Sequence, residues 1–228
     1  MALVATMALP ALAGVADFAA RRAAMVNALR KRDIRNARVL AAMGKVPRHL
    51  FLDKSQQGRA YEEAELPVGE AHVMCSPYAV AIMAQLLAVE PGKKVLEVGA
   101  CSGYLAAVLT EMGGRVYLME AHSDAVERAR RILGQLGYRS VQCRAGSACK
   151  GWPEEGPFDA IVVTCAADRL PEPLVTQLKE GGRLVAPIGR GPEQTLNCMR
   201  KHEGRLRAET VDTKGSIRMS PMVCQSPR

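Results

Sequence analysis

The chain is short of aromatic residues and of paired cysteines, and each shortage removes a class of protein. Three Phe, one Trp and five Tyr in 228 residues supply few stacking surfaces, and only Phe18 and Phe51 interleave with the basic N-terminal segment, so a single-strand nucleic-acid platform is not expected. The seven cysteines (Cys75, Cys101, Cys143, Cys149, Cys165, Cys198 and Cys224) are odd in number and form no CxxC pair, which argues against a disulfide framework. This usage reads as reduced thiols in a cytosol, giving a cytoplasmic expectation. The histidines His49, His72, His122 and His202 stand at no zinc-ligand spacing from one another or from the cysteines. No metal is expected.

Long apolar runs are missing as well. Residues 1–16 are uncharged but too few to span a bilayer, lack the basic start of an export signal, and are interrupted by Pro10. They are expected to be a disordered extension, and no membrane partner is expected. The formal charge of +8 is confined to residues 17–59, and the rest of the chain balances to zero. Such a segment can attract a polyanion or a carboxylate-bearing substrate, but it reads more simply as the solvated faces of two helices. A composition of 48% hydrophobic and 24% charged residues is that of a globular enzyme with one good core.

What is present divides at Pro91-Gly92. Before it, residues 17–90 form a helical lobe: apolar residues recur at helical spacing (Val39, Leu40, Met43, Val46) until Pro47, residues 58–78 have a loop-like composition, and a helix is expected over Tyr78–Val89. After it, residues 91–228 alternate short apolar runs with helical segments: VLEVG, YLAAVLTEM, RVYLME, SDAVERARRILGQLG, VQCRAG, FDAIVVT, PEPLVTQLK, a Gly181-Gly182 turn and RLVAPIG. That alternation predicts βαβ units and an α/β fold with a doubly wound, mostly parallel sheet. TLNCMRK and RLRAETV around His202-Glu203-Gly204 predict a C-terminal antiparallel hairpin.

VLEVGACSGY is a buried strand entering a tight turn and a helix, where open parallel sheets bind ligands. Only Gly99 matches a GxGxxG fingerprint, since Cys101 and Tyr104 occupy the other two positions, and no GK[ST] loop is present. A dinucleotide or triphosphate is thereby disfavoured. Glu120 ends the next strand, where a carboxylate can accept hydrogen bonds from both hydroxyls of a ribose. Turn and carboxylate together fit an adenosine with a short polar tail, as in S-adenosyl-L-methionine, whose own carboxylate would meet backbone NH groups at the helix start.

From about Asp17 to Val223 the chain resembles the protein-L-isoaspartate O-methyltransferase family. The resemblance is carried by VLAAMGKVPRHLFL, YEEAELPVGEAHVMCSPY, VLEVGACSGYLAAVL, RVYLMEAHSDAVERAR, GPFDAIVVTCAA and PEPLVTQLKEGGRLVAPIG. It implies a seven-stranded sheet with N-terminal helices over the substrate, S-adenosyl-L-methionine as cofactor, and methylation of the free carboxylate of L-isoaspartyl residues in damaged proteins or peptides, which leads to repair through a succinimide. It also places Glu97, Gly99, Ser102 and Gly103 in the first cofactor motif, Glu120 on the ribose and Ser147 near the cofactor. The resemblance further implies that Val73, Ser76, Val163, Thr164, Ala166 and Ala167 line substrate and cofactor and that Cys75 stands at the catalytic position.

Three departures accompany the resemblance. The family's substrate loop reads Gln-Thr-Ile-Ser where this chain has His72-Val73-Met74-Cys75, its Gly-rich turn has a glycine at the position of Cys101, and its Gly-Asp-Gly is here Gly146-Ser147-Ala148. A thiol thus replaces a serine hydroxyl, and a carboxylate toward adenine is lost. A nucleophilic role for Cys75 assisted by His72 is the weaker reading, since methyl transfer to an ionised carboxylate needs neither a covalent relay nor a general base. Three alternatives remain: a nucleic-acid methyltransferase, disfavoured because Thr164-Cys165-Ala166-Ala167 replaces an Asn/Asp-Pro-Pro-Tyr/Phe segment; a carboxyl methyltransferase with another peptide acceptor; and a cofactor-binding protein without turnover. Isoaspartyl proteins are the expected partners of a monomer.

Overall fold

The computed structural model describes residues 10–69, 72–100, 102–190 and 193–209, with side chains from Phe18 onward apart from those of residues 190 and 193. Cys101 and Cys224, and the expectations attached to them, lie outside the described residues. Two helices open the chain, α1 (Pro10–Arg32) and α2 (Ala37–Lys45). Helix α1 takes in residues 10–16, which were expected to be disordered. Its first turns are built of Pro, Ala, Leu and Gly, and Pro at a first helical position and Ala beyond it favour a helix even without charge. Asn36 starts α2, its side chain accepting hydrogen bonds from the NH groups of Arg38 and Val39.

Residues 58–78, expected as loop, contain two three-residue strands, β1 (Leu66–Val68) and β2 (His72–Met74), paired antiparallel. Leu66 and Val68 face the core while Pro67 faces out, the strict alternation that a half-buried pair requires. Helix α3 (Pro77–Leu87) follows, with Ser76 as its cap and Pro77 in its first turn. It also clamps the α1–α2 link: Gln85 Oε1 accepts from the NH groups of Arg35 and Asn36 at 2.7 and 2.9 Å, and the Tyr78 hydroxyl donates to Asp33 at 2.8 Å.

The remaining elements are β3 (Lys94–Val98), α4 (Tyr104–Glu111), β4 (Arg115–Glu120), α5 (Ser123–Gln135), β5 (Gln142–Ala145), β6 (Phe158–Val163), α6 (Glu172–Gln177), β7 (Leu178–Arg190), β8 (Glu193–His202) and β9 (Arg205–Glu209). They form a seven-stranded sheet in the order β5-β4-β3-β6-β7-β8-β9. The first five strands of that order are parallel, and β8 and β9 add antiparallel. The central parallel strands β3, β4 and β6 are buried on both faces along most of their length, which is why they read as largely apolar runs, whereas the edge strand β5 is partly exposed. The β8–β9 turn carries positive φ at both Glu203 and Gly204, the geometry that matches the right-handed twist of the hairpin.

The predicted Gly181-Gly182 turn is instead a bulge inside β7, where the register against β6 slips between Phe158 and Ala160. Gly181 has φ +75°, and a Cβ on Gly182 would meet the carbonyl oxygens of Lys179 and Asp159 at 2.8 and 2.9 Å, so the strand can pass only with glycines. One apolar cluster runs from Met25 and Leu29 of α1 through Tyr78 and Met83 of α3 to Val108 and Val162, joining the helical lobe to one face of the sheet. A second fills the other face around Leu96, Phe158 and Leu174. Among the described residues no helix is long and apolar enough to cross a membrane.

Candidate active site

Strand β3 has its parallel neighbours β4 and β6 on opposite sides, so the chain leaves its carboxyl end at the switch point of the sheet, where a crevice opens. Gly99, at φ +86°, makes the first bend. A Cβ there would lie 2.8 Å from Cys165 Sγ and 3.3 Å from Thr164 Oγ1, so both backbone angle and space require glycine. The bend is tied on both sides: Gly99 NH donates to the Met119 carbonyl at 2.9 Å, and Thr164 Oγ1 donates to the Gly99 carbonyl at 2.7 Å. Gly103, at φ +80°, opens α4, and Ser102 Oγ accepts from the Tyr104 NH at 3.2 Å.

Two carboxylates flank this turn. Glu97 is 2% exposed, and its Oε2 has no hydrogen-bond partner. Burial, reinforced by the nearby Glu120 charge, pushes its carboxyl up to about 8. Glu120, at the end of β4, is treated differently by its surroundings: burial alone would raise it, but the His72 imidazole and the backbone NH of His122 outweigh that and hold it below the usual range. The His122 NH donates to Glu120 Oε1 at 3.1 Å, and His72 Nε2 lies 3.7 Å from the same oxygen. Strand order makes this pair, because β3 and β4 are adjacent and parallel.

The other expected residues fall around the same crevice. One small cavity is lined by Cys75, Glu97, Ser102 and Thr164 together. Ala166 and Ala167 are buried, with Ala167 bridged to Ile188 of β7, and Val163 ends β6 without exposure. Ser147 is buried just after β5, beyond Gly146, whose NH donates to the Glu120 carbonyl at 2.9 Å. Val73 pairs with Pro67 in the two-stranded sheet. The Ser76 hydroxyl is already engaged: it donates to Glu63 Oε1 at 2.6 Å and accepts from the Ala79 NH at 3.3 Å as the cap of α3. His72 turns toward Glu120 and His122, its ring 4.9 Å from that of His122, rather than standing as a base dedicated to Cys75.

Sequence reading missed Arg48. This guanidinium is wholly buried, donating from Nε to the Ala60 carbonyl at 2.7 Å and from Nη2 to the Cys75 carbonyl at 2.6 Å, and it lies 4.9 Å over the Tyr104 ring. Burial lowers its pKa, while Tyr104, Cys75 and Glu63 oppose that shift. It fixes the backbone at Cys75 from beneath. Its only signal in the sequence was an Arg after Pro47 among apolar residues, which reads as an ordinary surface cation. Cys75, Cys143, Cys165 and Cys198 are free, but Cys149 is disulfide-bonded, against the expectation of reduced thiols throughout. Bonding depends on the distance that the fold sets between two cysteines, which sequence spacing does not report.

Comparison with known proteins agrees with this arrangement. The family model described as protein-L-isoaspartate(D-aspartate) O-methyltransferase matches residues 20–224. A protein-L-isoaspartate O-methyltransferase of Gloeobacter violaceus is 43% identical over 202 residues, covering 88% of this chain and 97% of its own length. That of Salinibacter ruber is 45% identical over 211 residues, covering 89% and 91%. Among solved structures, a protein-L-isoaspartate O-methyltransferase superposes with a TM-score of 0.75 at 28% identity, over 91% of this chain and 66% of that one. A Plasmodium falciparum structure assigned to the same activity, in complex with S-adenosyl-L-homocysteine, gives 0.76 at 21% identity over 90% and 99% and shows the shared fold. With residues 20–224 of its 228 covered by that model, the chain belongs to the protein-L-isoaspartate(D-aspartate) O-methyltransferase family.

Proposed function

We propose that this chain transfers a methyl group from S-adenosyl-L-methionine to the free carboxylate of L-isoaspartyl residues in proteins and peptides. The observation that carries the reading is the small cavity at the switch point, where Cys75 from the substrate loop meets Glu97, Ser102 and Thr164 from the cofactor turn. The residues fit the cofactor. Glu97 Oε2 is a buried acceptor without a partner, and an ammonium such as that of the methionine moiety would satisfy it and favour its charged form. Glu120 already carries its charge, as an acceptor of two ribose hydroxyls should.

The cofactor, when bound, supplies a methyl group on a sulfonium. The protein's task is then mainly to hold the acceptor carboxylate in line with it, and alignment of that kind can remove roughly 7–11 kcal/mol of barrier. No residue has to remove a proton, since the acceptor is ionised near neutral pH. Arg48 holds the Cys75 backbone still, while the Cys75 thiol stands where a hydroxyl would orient the non-attacking oxygen, as a bulkier and weaker donor. Gly99, Gly103 and Ser102 shape the turn, Ser147 lies on the adenine side, and Val73, Thr164, Ala166 and Ala167 wall the acceptor. Ser76 contributes by capping α3. We keep nucleic acid and membranes outside the partner set, and read the working unit as a cytoplasmic monomer.

The test is incubation of the purified chain with methyl-labelled S-adenosyl-L-methionine and matched peptides carrying isoaspartate, aspartate or asparagine. Base-labile label on the isoaspartyl peptide alone is expected. Equal labelling of the aspartyl peptide, or label on none of the three, would remove isoaspartate as the acceptor.

A further inference from the structure

His72, Glu120 and His122 come from two separate parts of the fold and converge on one point. His72 stands on β2, Glu120 ends β4, and His122 precedes α5. One ligand atom from each lies within 4.8 Å of the other two, and His72 Nε2 is 3.7 Å from Glu120 Oε1. In a tetrahedral zinc site with metal–ligand bonds of about 2.0–2.1 Å, ligand atoms sit roughly 3.3 Å apart. The imidazole–carboxylate edge is therefore close to the ligand–ligand separation of such a site, and rotation of the exposed His122 side chain would have to bring its ring nitrogen in from within 4.8 Å. Two imidazoles and a carboxylate form a donor set suited to first-row divalent ions and ill suited to calcium or magnesium.

The surroundings favour an ion over a chance cluster. The His72 and Glu120 side chains are 12% and 7% exposed, so their attraction for a cation is weakly screened. His122 is exposed and gives the site an opening to solvent, leaving a fourth position for water. Glu120 is fixed by β4, which pairs on both edges, and Oε1 is oriented by the His122 NH.

We propose that His72, Glu120 and His122 bind a divalent cation of the zinc class, and that ion and cofactor exclude one another. The exclusion rests on the reading above that Glu120 receives the cofactor ribose; the metal site itself does not. Bound metal would occupy that carboxylate, so cofactor binding becomes sensitive to metal supply.

The test uses the full chain under reducing, chelator-free conditions. Titration with zinc chloride is expected to show one site, and cobalt chloride is expected to give visible bands of four-coordinate cobalt without the charge-transfer band of a thiolate ligand. His72→Gln and His122→Gln should each weaken zinc by about tenfold or more, since each removes a direct ligand. Zinc binding that is absent, or unchanged in both variants, overturns the site. In parallel, S-adenosyl-L-homocysteine is titrated with and without zinc; a loss of about tenfold in the wild type but not in His122→Gln is expected. Zinc and S-adenosyl-L-homocysteine bound together overturn the exclusion while leaving the metal site standing. Failure of S-adenosyl-L-homocysteine to bind metal-free protein also overturns the exclusion, and strikes the Glu120 reading while the zinc titration still decides the site.

Discussion

Replacing Glu97 by Gln makes the most quantitative test of the cofactor turn without any cofactor present. The Glu97 carboxyl is held at about 8 in the folded protein, against 4.5 as its ordinary value. Because the folded value is the higher, the unfolded chain releases its proton first as pH rises. The folded state is not penalised well below 4.5, loses stability progressively through the interval, and bears the full cost above about 8. Linkage across that interval amounts to about 3.5 kcal/mol between pH 5 and pH 8. Glutamine keeps the size and cannot ionise, so Glu97→Gln should be more stable than the wild type by an amount that grows with pH over that range. With a urea slope of roughly 2–3 kcal/mol/M, the difference between the two midpoints should widen by more than about 1 M. Urea unfolding of both proteins at several pH values measures it, and pH effects of distant groups cancel in the difference. A gap that stays constant within about 1 kcal/mol from pH 5 to 8 would refute the reasoning, because Glu97 would then carry its charge in the fold at little cost.

Other outcomes follow from single contacts. Cys75→Ser should raise kcat/KM on an isoaspartyl peptide by about fivefold, the worth of one hydrogen bond of ~1 kcal/mol, with S-adenosyl-L-homocysteine affinity unchanged by calorimetry. Arg48→Ala leaves the Ala60 and Cys75 carbonyls without their donor and opens a gap beside Tyr104; a loss of about 3 kcal/mol or more in urea unfolding is expected. Peptide KM should rise more than the Kd of S-adenosyl-L-homocysteine. Gly99→Ala forces a side chain into φ +86° and against Cys165; a cost of about 1–3 kcal/mol is expected by the same unfolding assay, together with weaker S-adenosyl-L-homocysteine binding.

The parts of the fold legible in the sequence were those whose local signal and burial agree. VLEV, RVYLME and FDAIVV are mostly apolar and buried on both faces, and such runs between helical segments leave few alternatives to a parallel sheet. Glu203-Gly204 likewise marks its hairpin by turn chemistry alone. The β1–β2 pair was not legible, since each strand has three residues and Pro67 with Gly69 reads as loop. The Gly181-Gly182 bulge reads as a turn in the sequence because glycine pairs signal both, and only the close carbonyls of Lys179 and Asp159 distinguish them.

At the site, the tight turn at Gly99 and the acidic strand end at Glu120 stand out locally in the sequence in that order, whereas Glu97 enters only through the family resemblance. Arg48 was not, since nothing local distinguishes a buried guanidinium from a solvated one. The meeting of His72 with Glu120 and His122 is not legible for a related reason: spacing along the sequence does not report it, because the fold brings β2 beside the end of β4.

The central claim is that the acceptor is the isoaspartyl carboxylate. Mass spectrometry of an isoaspartyl peptide incubated with the chain and S-adenosyl-L-methionine tests it most directly. The account predicts a gain of one methyl mass, followed without further enzyme by loss of methanol to a succinimide. A methyl mass that withstands base and does not collapse would place the transfer on nitrogen or another acceptor and contradict the account.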